Sequence, residues 1–119
     1  MKAIPKLEVL VIDDNSRNVK SISGLLQAIS PKINISSAYS MDNATERLIE
    51  KPYDVAIIDF NMPGGDGLQT AKALRAISPT IKLIGCSTSW NDKNSTEAGL
   101  ELYSAYGENF AKYFRQLIE

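Results

Sequence analysis

The stretch "DVAIIDFNMPGGDG" (Asp54–Gly67) decides the fold, because it joins an apolar run to a carboxylate and a tight turn. The apolar run is continuous, which is typical of a strand that is covered on both faces. The segment after it is rich in glycine and proline, which favour turns. Asp59 stands where the strand ends, and burying an unpaired carboxylate is costly. Asp59 is therefore expected either in a solvated turn or beside a cation.

The same alternation of apolar runs and helical patterns extends along the chain. We predict four strands, of which the second is the weaker one, and apolar residues at helical spacing follow the first three. The four runs are Leu7–Ile12, Ile33–Ala38, Asp54–Asp59 and Ile81–Cys86. Strands that alternate with helices through short connections form a parallel sheet covered on both faces. Right-handed crossovers then leave chiefly the doubly wound arrangement. We predict an α/β fold with a five-stranded, doubly wound parallel sheet and one domain over residues 1–119.

The C-terminal third allows two interpretations. In the first, Asn94–Glu97 is a capping box that begins a helix ending at Tyr106, and "NFAKYF" (109–114) is the fifth strand with only a stub of helix after it. In the second, "LELYSAY" (100–106) is the strand and a full final helix follows. The apolar stripe of that helix would be Phe110, Phe114, Leu117 and Ile118. We favour the first interpretation, which makes the C-terminal part irregular or shortened.

Composition excludes several classes of protein. The net charge of −1 argues against a general nucleic-acid surface, which usually shows a basic excess. No apolar stretch approaches the roughly 20 residues that span a bilayer, and no signal peptide is recognisable, so we expect no membrane partner. The chain has no histidine, which excludes histidine acid–base catalysis and histidine metal ligands. Its lone Cys86 fits a reducing cytoplasm, where we expect the protein to lie.

Three acids are predicted to meet at one edge of the sheet. Asp13 and Asp14 follow the first strand, and Asp59 follows the third. Ligands of doubly wound sheets bind outside the carboxyl ends of the strands. If the first and third strands are neighbours, the three carboxylates repel one another, and a hard divalent cation such as Mg²⁺ relieves that repulsion. A carboxylate held beside a metal can also attack phosphorus, giving an aspartyl phosphate.

These segments resemble the receiver domains of two-component response regulators, which have a flavodoxin-like fold. "VLVIDDN" (9–15) is similar to the first strand and acidic pair of that family. "DVAIIDFNMPGGDG" matches its phosphoacceptor motif, in which an Asp is followed by x-x-Met-Pro-x-x-Asp-Gly. The resemblance covers nearly the whole chain.

The resemblance implies a role for each matching residue. Asp59 would be the phosphoacceptor, Asp14 a direct Mg²⁺ ligand and Asp13 a ligand through water. Asn61 would offer its backbone carbonyl to the ion, and the Ser87 hydroxyl would meet the phosphoryl group. The residues expected to shape the loop are Met62, Pro63, Asp66 and Gly67.

The family also has a lysine at the end of its fifth strand, which pairs with the phosphoryl oxygens. The first interpretation of the C-terminal third places Lys112 there, and we favour it. The second interpretation places Tyr106 there and removes the cation. Trp90 is expected in the loop beyond the site.

The resemblance implies a signalling function rather than an enzyme, with no chemistry beyond the domain's own phosphorylation and dephosphorylation. The donor would be a histidine kinase or a phosphotransfer protein, and the response would reach an output domain or a downstream protein. A dimer through the face of the fourth and fifth strands is a further expectation.

The alternative is a pseudo-receiver that binds partners without phosphorylation. An aspartate-nucleophile phosphohydrolase is disfavoured, because Asn61 stands where a second Asp is usual. A flavodoxin is disfavoured because "DDNSRN" (13–18) lacks the glycines of a phosphate-binding turn.

Overall fold

A computed structural model describes residues 6–104 and 108–118, and within these residues five parallel strands form one sheet. The strands lie in the order β2-β1-β3-β4-β5. Their bounds are β1 Leu7–Ile12, β2 Ile33–Ala38, β3 Val55–Ile58, β4 Lys82–Cys86 and β5 Leu102–Ser104. The predicted doubly wound α/β fold is confirmed.

Helices connect the strands and follow the last one. Their bounds are α1 Ser16–Ile29, α2 Met41–Glu50, α3 Gly67–Ile77, α4 Asp92–Ala98 and α5 Glu108–Ile118. None of the helices in the described part of the chain has the length and apolar character that a membrane crossing requires.

The sheet is apolar on both faces because each face is covered by helices. On β3, Ala56 and Ile58 face a core cluster that includes apolar residues of α2 and α3, whereas Val55 and Ile57 face a second cluster with residues of α1 and α5. All four residues of the strand are buried, which explains its continuous apolar sequence. In the parallel pairing of β1 with β3, Ile12 lies opposite Ile58, so the two strands end side by side.

The favoured interpretation of the C-terminal third is wrong. Helix α4 is capped by Asn91, whose side chain accepts from the Asn94 backbone while the Asn94 side chain accepts from the Asn91 backbone. The helix ends at Gly99, which has a φ of 71°, a conformation that favours glycine. This earlier stop leaves room for β5 at Leu102–Ser104, as the second interpretation expected.

Lys112 consequently does not end the fifth strand. It lies on α5 and is exposed. Phe110 and Phe114 of that helix are both fully buried, with ring centroids 5.9 Å apart, and this spacing of four residues buries one face of a helix. Of the last two elements, β5 is short, with 3 residues, whereas α5 is a full helix of 11 residues. Tyr106, which we expected at the end of the preceding helix, lies outside the described residues.

Candidate functional site

The edge of the sheet where β1 and β3 end brings the three predicted acids together. The Asp13 backbone N–H donates to the Ala38 carbonyl at 3.0 Å, and that of Asp59 donates to the Ile12 carbonyl at 2.9 Å. Asp13 and Asp59 are therefore the residues that directly follow β1 and β3, at the carboxyl ends of these strands. Carboxylate oxygens of Asp13, Asp14 and Asp59 all lie within 4.8 Å of one another.

The three carboxylates differ in their exposure to solvent. Asp13 is fully buried, and its Oδ1 accepts from the Asn15 backbone N–H at 2.9 Å. Asn15 caps α1, so the turn after β1 is fixed from both sides. Asp59 is partly buried and Asp14 is exposed, so the cluster opens towards solvent on one side.

The surroundings of Asp59 oppose its negative charge. Burial and the neighbouring charges of Asp13 and Asp14 raise the pKa of Asp59 to about 6. Hydrogen bonds from the Asn61 backbone N–H and the Ser87 hydroxyl lower that pKa and partly offset the rise. A carboxylate in such a position is a candidate for function.

The donor set suits a hard divalent cation. Its side-chain ligands are carboxylate oxygens, which Mg²⁺ and Ca²⁺ prefer. After burial, the negative charges of Asp13 and Asp14 contribute to the raised pKa of Asp59, and a bound cation would relieve their repulsion. The residues therefore fit the Mg²⁺ that the resemblance implies.

Ser87 and Asn61 close the site on the side of β4. The Ser87 backbone N–H donates to the Ser104 carbonyl at 3.2 Å, which joins the end of β4 to β5. The Ser87 hydroxyl contacts Asp59 and accepts from the Ser89 backbone N–H at 3.1 Å. The Asn61 side-chain amide donates to the Ser89 hydroxyl at 2.7 Å. Ser89 was missed from the sequence, because no motif marks it.

The loop after Asp59 is held at both ends. Asp66 caps α3, and the Gly67 backbone N–H donates to the Phe60 carbonyl at 2.7 Å. Met62 packs against the core, while Pro63 is exposed. Met62, Asp66 and Gly67 therefore have contacts that are consistent with the predicted role in shaping the loop, and Pro63 has no such contact among those described.

The contacts of Trp90 with the residues around the site were also missed from the sequence. Trp90 lies between β4 and α4, as expected, but its indole is buried beneath the site, with 4% of the residue exposed. Its Nε1–H donates to the Ile58 carbonyl at 2.9 Å. A glycine inside a strand often marks a close approach of another group, and Gly85 in β4 was the signal that could have revealed this packing.

The predicted phosphoryl-pairing lysine is not at the site. The sequence has no lysine or arginine between Lys93 and Lys112, so the segment that contains β5 carries no cation. Since Lys112 is on α5, the chain departs here from the pattern that the resemblance implied.

In the absence of divalent cations, the protein is expected to lose stability as the pH rises from about 4 to about 6. Folded Asp59 keeps its proton up to a pH of about 6, whereas the pKa of an aspartate carboxyl in the unfolded chain has its ordinary value of 3.8. Between these values the folded state binds more protons, so the free energy of unfolding falls as the pH rises. Because Asp59 is partly exposed, we expect a screened loss of about 1 kcal/mol.

Urea unfolding of the wild type and of Asp59→Asn across this pH range isolates the contribution of Asp59. The difference in stability between the two proteins should grow in favour of Asp59→Asn as the pH rises. A difference that is constant with pH would contradict the assigned pKa shift.

The comparisons with known proteins agree with this geometry. A family model described as "Response regulator receiver domain" matches residues 9–106. The transcriptional regulatory protein ZraR of Salmonella typhimurium is 30% identical over 79 residues, which are 66% of this chain and 18% of that protein. The sensor histidine kinase GacS of Pseudomonas protegens is 35% identical over 68 residues, which are 56% of this chain and 7% of that protein. The matched segment is therefore less than a fifth of the length of either relative.

A solved structure shows the same fold. A chain in the CheX–CheY–BeF3–Mg²⁺ complex from Borrelia burgdorferi superposes with a TM-score of 0.80 at 18% identity, covering 93% of this chain and 86% of that one. The family match spans most of the chain and includes all three clustered acids. The chain belongs to the response regulator receiver domains, the signalling modules of two-component systems.

Proposed function

We propose that this chain is a phosphoacceptor domain in which Asp59 receives a phosphoryl group from a histidine kinase or a phosphotransfer protein. The observation that carries the proposal is the meeting of three carboxylates within 4.8 Å at the ends of neighbouring strands. The similarity to a sensor histidine kinase and to a transcriptional regulatory protein supports a place in such a relay.

The proposed chemistry uses Asp59 as a nucleophile. A carboxylate oxygen of Asp59 forms the O–P bond while the P–N bond of the donor's phosphoimidazole breaks and its electron pair returns to nitrogen. The Ser87 hydroxyl and the Asn61 backbone N–H contact the Asp59 carboxylate and would donate to phosphoryl oxygens. The chain lacks histidine, so it is the recipient and not the phosphohistidine partner.

Asp13, Asp14 and Asp59, with the backbone carbonyl of Asn61, would hold Mg²⁺. The ion supplies positive charge that offsets the negative charge on the transferring oxygens. By the pattern that the resemblance implies, Asp14, the exposed member of the cluster, would bind the ion directly, and Asp13, the buried member, would bind it through water.

The signal would leave the site through Ser87. The phosphoryl group draws the Ser87 hydroxyl inward, and the Ser87 backbone is bonded to Ser104 of β5. A displacement of Ser87 therefore repacks the face formed by β4 and β5 and shifts the population of conformations that a partner recognises. Proposed readers of this face are an output domain, a downstream protein or a second copy of the chain, in the cytoplasm.

A second candidate function is a pseudo-receiver that binds partners without being phosphorylated. The observation that favours it is the absence of a lysine or arginine from the sequence between Lys93 and Lys112. Without that cation, the phosphoryl oxygens depend on the metal and on neutral donors.

A beryllofluoride titration separates the two functions. The wild type is expected to show a saturable change in fluorescence that requires both beryllofluoride and Mg²⁺. Trp90 is a suitable reporter, because it is the one tryptophan of the chain and its indole N–H donates a hydrogen bond to the carbonyl of Ile58, the residue before Asp59. Asp59→Asn is the control and should show no change. The absence of any Mg²⁺-dependent response in the wild type would favour the pseudo-receiver.

A further inference from the structure

Trp90 contacts both residues that flank Asp59. Its Nε1–H donates to the carbonyl of Ile58 at 2.9 Å. Its ring also meets that of Phe60 edge to face, with centroids 5.0 Å apart and an angle of 84° between the planes. One buried side chain therefore contacts the backbone before Asp59 and the side chain after it.

Two glycines make room for this indole. A Cβ atom at Gly85 of β4 would lie 2.7 Å from the indole Nε1, and a Cβ atom at Gly67 of α3 would lie 2.6 Å from its Cζ2. Either distance is shorter than real side chains adopt. Glycine inside a strand weakens it, so the glycine in β4 has a cost that the packing of Trp90 offsets.

Trp90 also belongs to the turn that leads from the site into α4. Its backbone N–H donates to the Ser87 carbonyl at 3.4 Å, and the next residue, Asn91, caps α4. The side chain reaches β3 while the backbone connects Ser87 to α4. Trp90 therefore links the chain around Asp59 to both the Ser87 turn and the start of α4.

We propose that Trp90 is a positioning residue for the phosphoacceptor: it fixes the backbone on both sides of Asp59 and joins that backbone to α4. This inference rests on the proposed function of Asp59 as the site of phosphorylation. It goes beyond that function, because it assigns the orientation of Asp59 to a residue outside the metal and phosphoryl contacts.

The test is the affinity for beryllofluoride at saturating Mg²⁺, followed by ¹⁹F NMR of the bound anion in wild type and Trp90→Phe. Phenylalanine keeps an aromatic ring but removes the N–H donor, so the Ile58 carbonyl loses its partner. We expect the affinity of Trp90→Phe to fall about tenfold, the size of effect that loss of one buried hydrogen bond produces. The matched control is Ile22→Val, which removes one methylene from a fully buried residue in the other core cluster. We expect both variants to have a lower melting temperature than the wild type, but the affinity of Ile22→Val for beryllofluoride should equal that of the wild type.

The outcomes distinguish the two proposals. If the wild type binds no beryllofluoride, the proposed function fails. If the wild type binds it and Trp90→Phe matches Ile22→Val in affinity, Trp90 is only a core residue and the inference is overturned. If Trp90→Phe does not fold, the indole N–H proton of the wild type decides. A shift of that resonance on saturation supports the inference, and an unmoved resonance overturns it.

Discussion

Asp59→Asn is expected to abolish phosphoryl labelling of the protein by a small donor such as acetyl phosphate in the presence of Mg²⁺. The amide has nearly the shape of the carboxylate but is a poor nucleophile, and it removes one negative charge from the proposed metal site. We expect the labelled fraction, measured by intact-protein mass spectrometry, to fall at least a hundredfold, as for loss of other nucleophiles that form covalent intermediates.

Asp54→Asn is the matched control for that substitution. Asp54 precedes β3, at the opposite end of the strand from Asp59, is exposed, and accepts a hydrogen bond from the Glu8 backbone N–H at 2.8 Å. The same change of charge at the other end of the strand should leave labelling intact. Labelling that survives in Asp59→Asn would place the phosphoryl group on another residue and overturn the assignment. Loss of labelling in both variants would point to a general dependence on charge.

The first four strands could be predicted closely because their physical signal is local. The first, third and fourth are short and mostly apolar runs, because the parallel sheet is covered on both faces. The second, "INISSA", gives a weaker signal, since it lies at the edge of the sheet and most of its residues are not buried. The structure shortens the predicted third strand to Val55–Ile58 and begins the fourth at Lys82. The meeting of the acids followed from one rule, since the carboxyl ends of adjacent parallel strands share an edge.

The choice between the two interpretations of the last strand was wrong because the determinants of that strand are distant in sequence. β5 has only three residues, too few for a clear pattern. Its start is fixed by Glu101, whose Oε2 accepts from the Leu83 backbone N–H at 2.6 Å, and by Arg75, which donates to the Gly99 carbonyl at 3.0 Å. The local signals were misleading, because the residues of Asn94–Glu97 have the spacing of a capping box but lie inside α4.

Ser89 and Trp90 were missed for a related reason. Each acts through a hydrogen bond to a segment about 30 residues away, and neither belongs to a motif. Only the folded arrangement of β3 and β4 shows that both residues reach the surroundings of Asp59.

Gly67→Ala is expected to lower the free energy of unfolding by about 3 kcal/mol, the upper part of the usual range for overpacking a core. The added Cβ would lie 2.6 Å from Cζ2 of Trp90, 2.8 Å from Cα of Phe60 and 3.0 Å from the carbonyl oxygen of Asp59. Two of these atoms belong to the backbone and cannot rotate away. The strain therefore falls on the backbone that carries Asp59.

Gly24→Ala is the control for this change. Gly24 is exposed on α1, and a Cβ atom there would have nothing within 4 Å. The substitution should raise the free energy of unfolding by about 0.5–1 kcal/mol, because alanine favours a helix interior over glycine. Urea unfolding of the two variants thus separates a loss of space from the general effect of replacing glycine. Equal stabilities would mean that the indole does not fill the space beside Gly67. The expected opposite signs would show that the packing behind Asp59 requires a residue without a side chain.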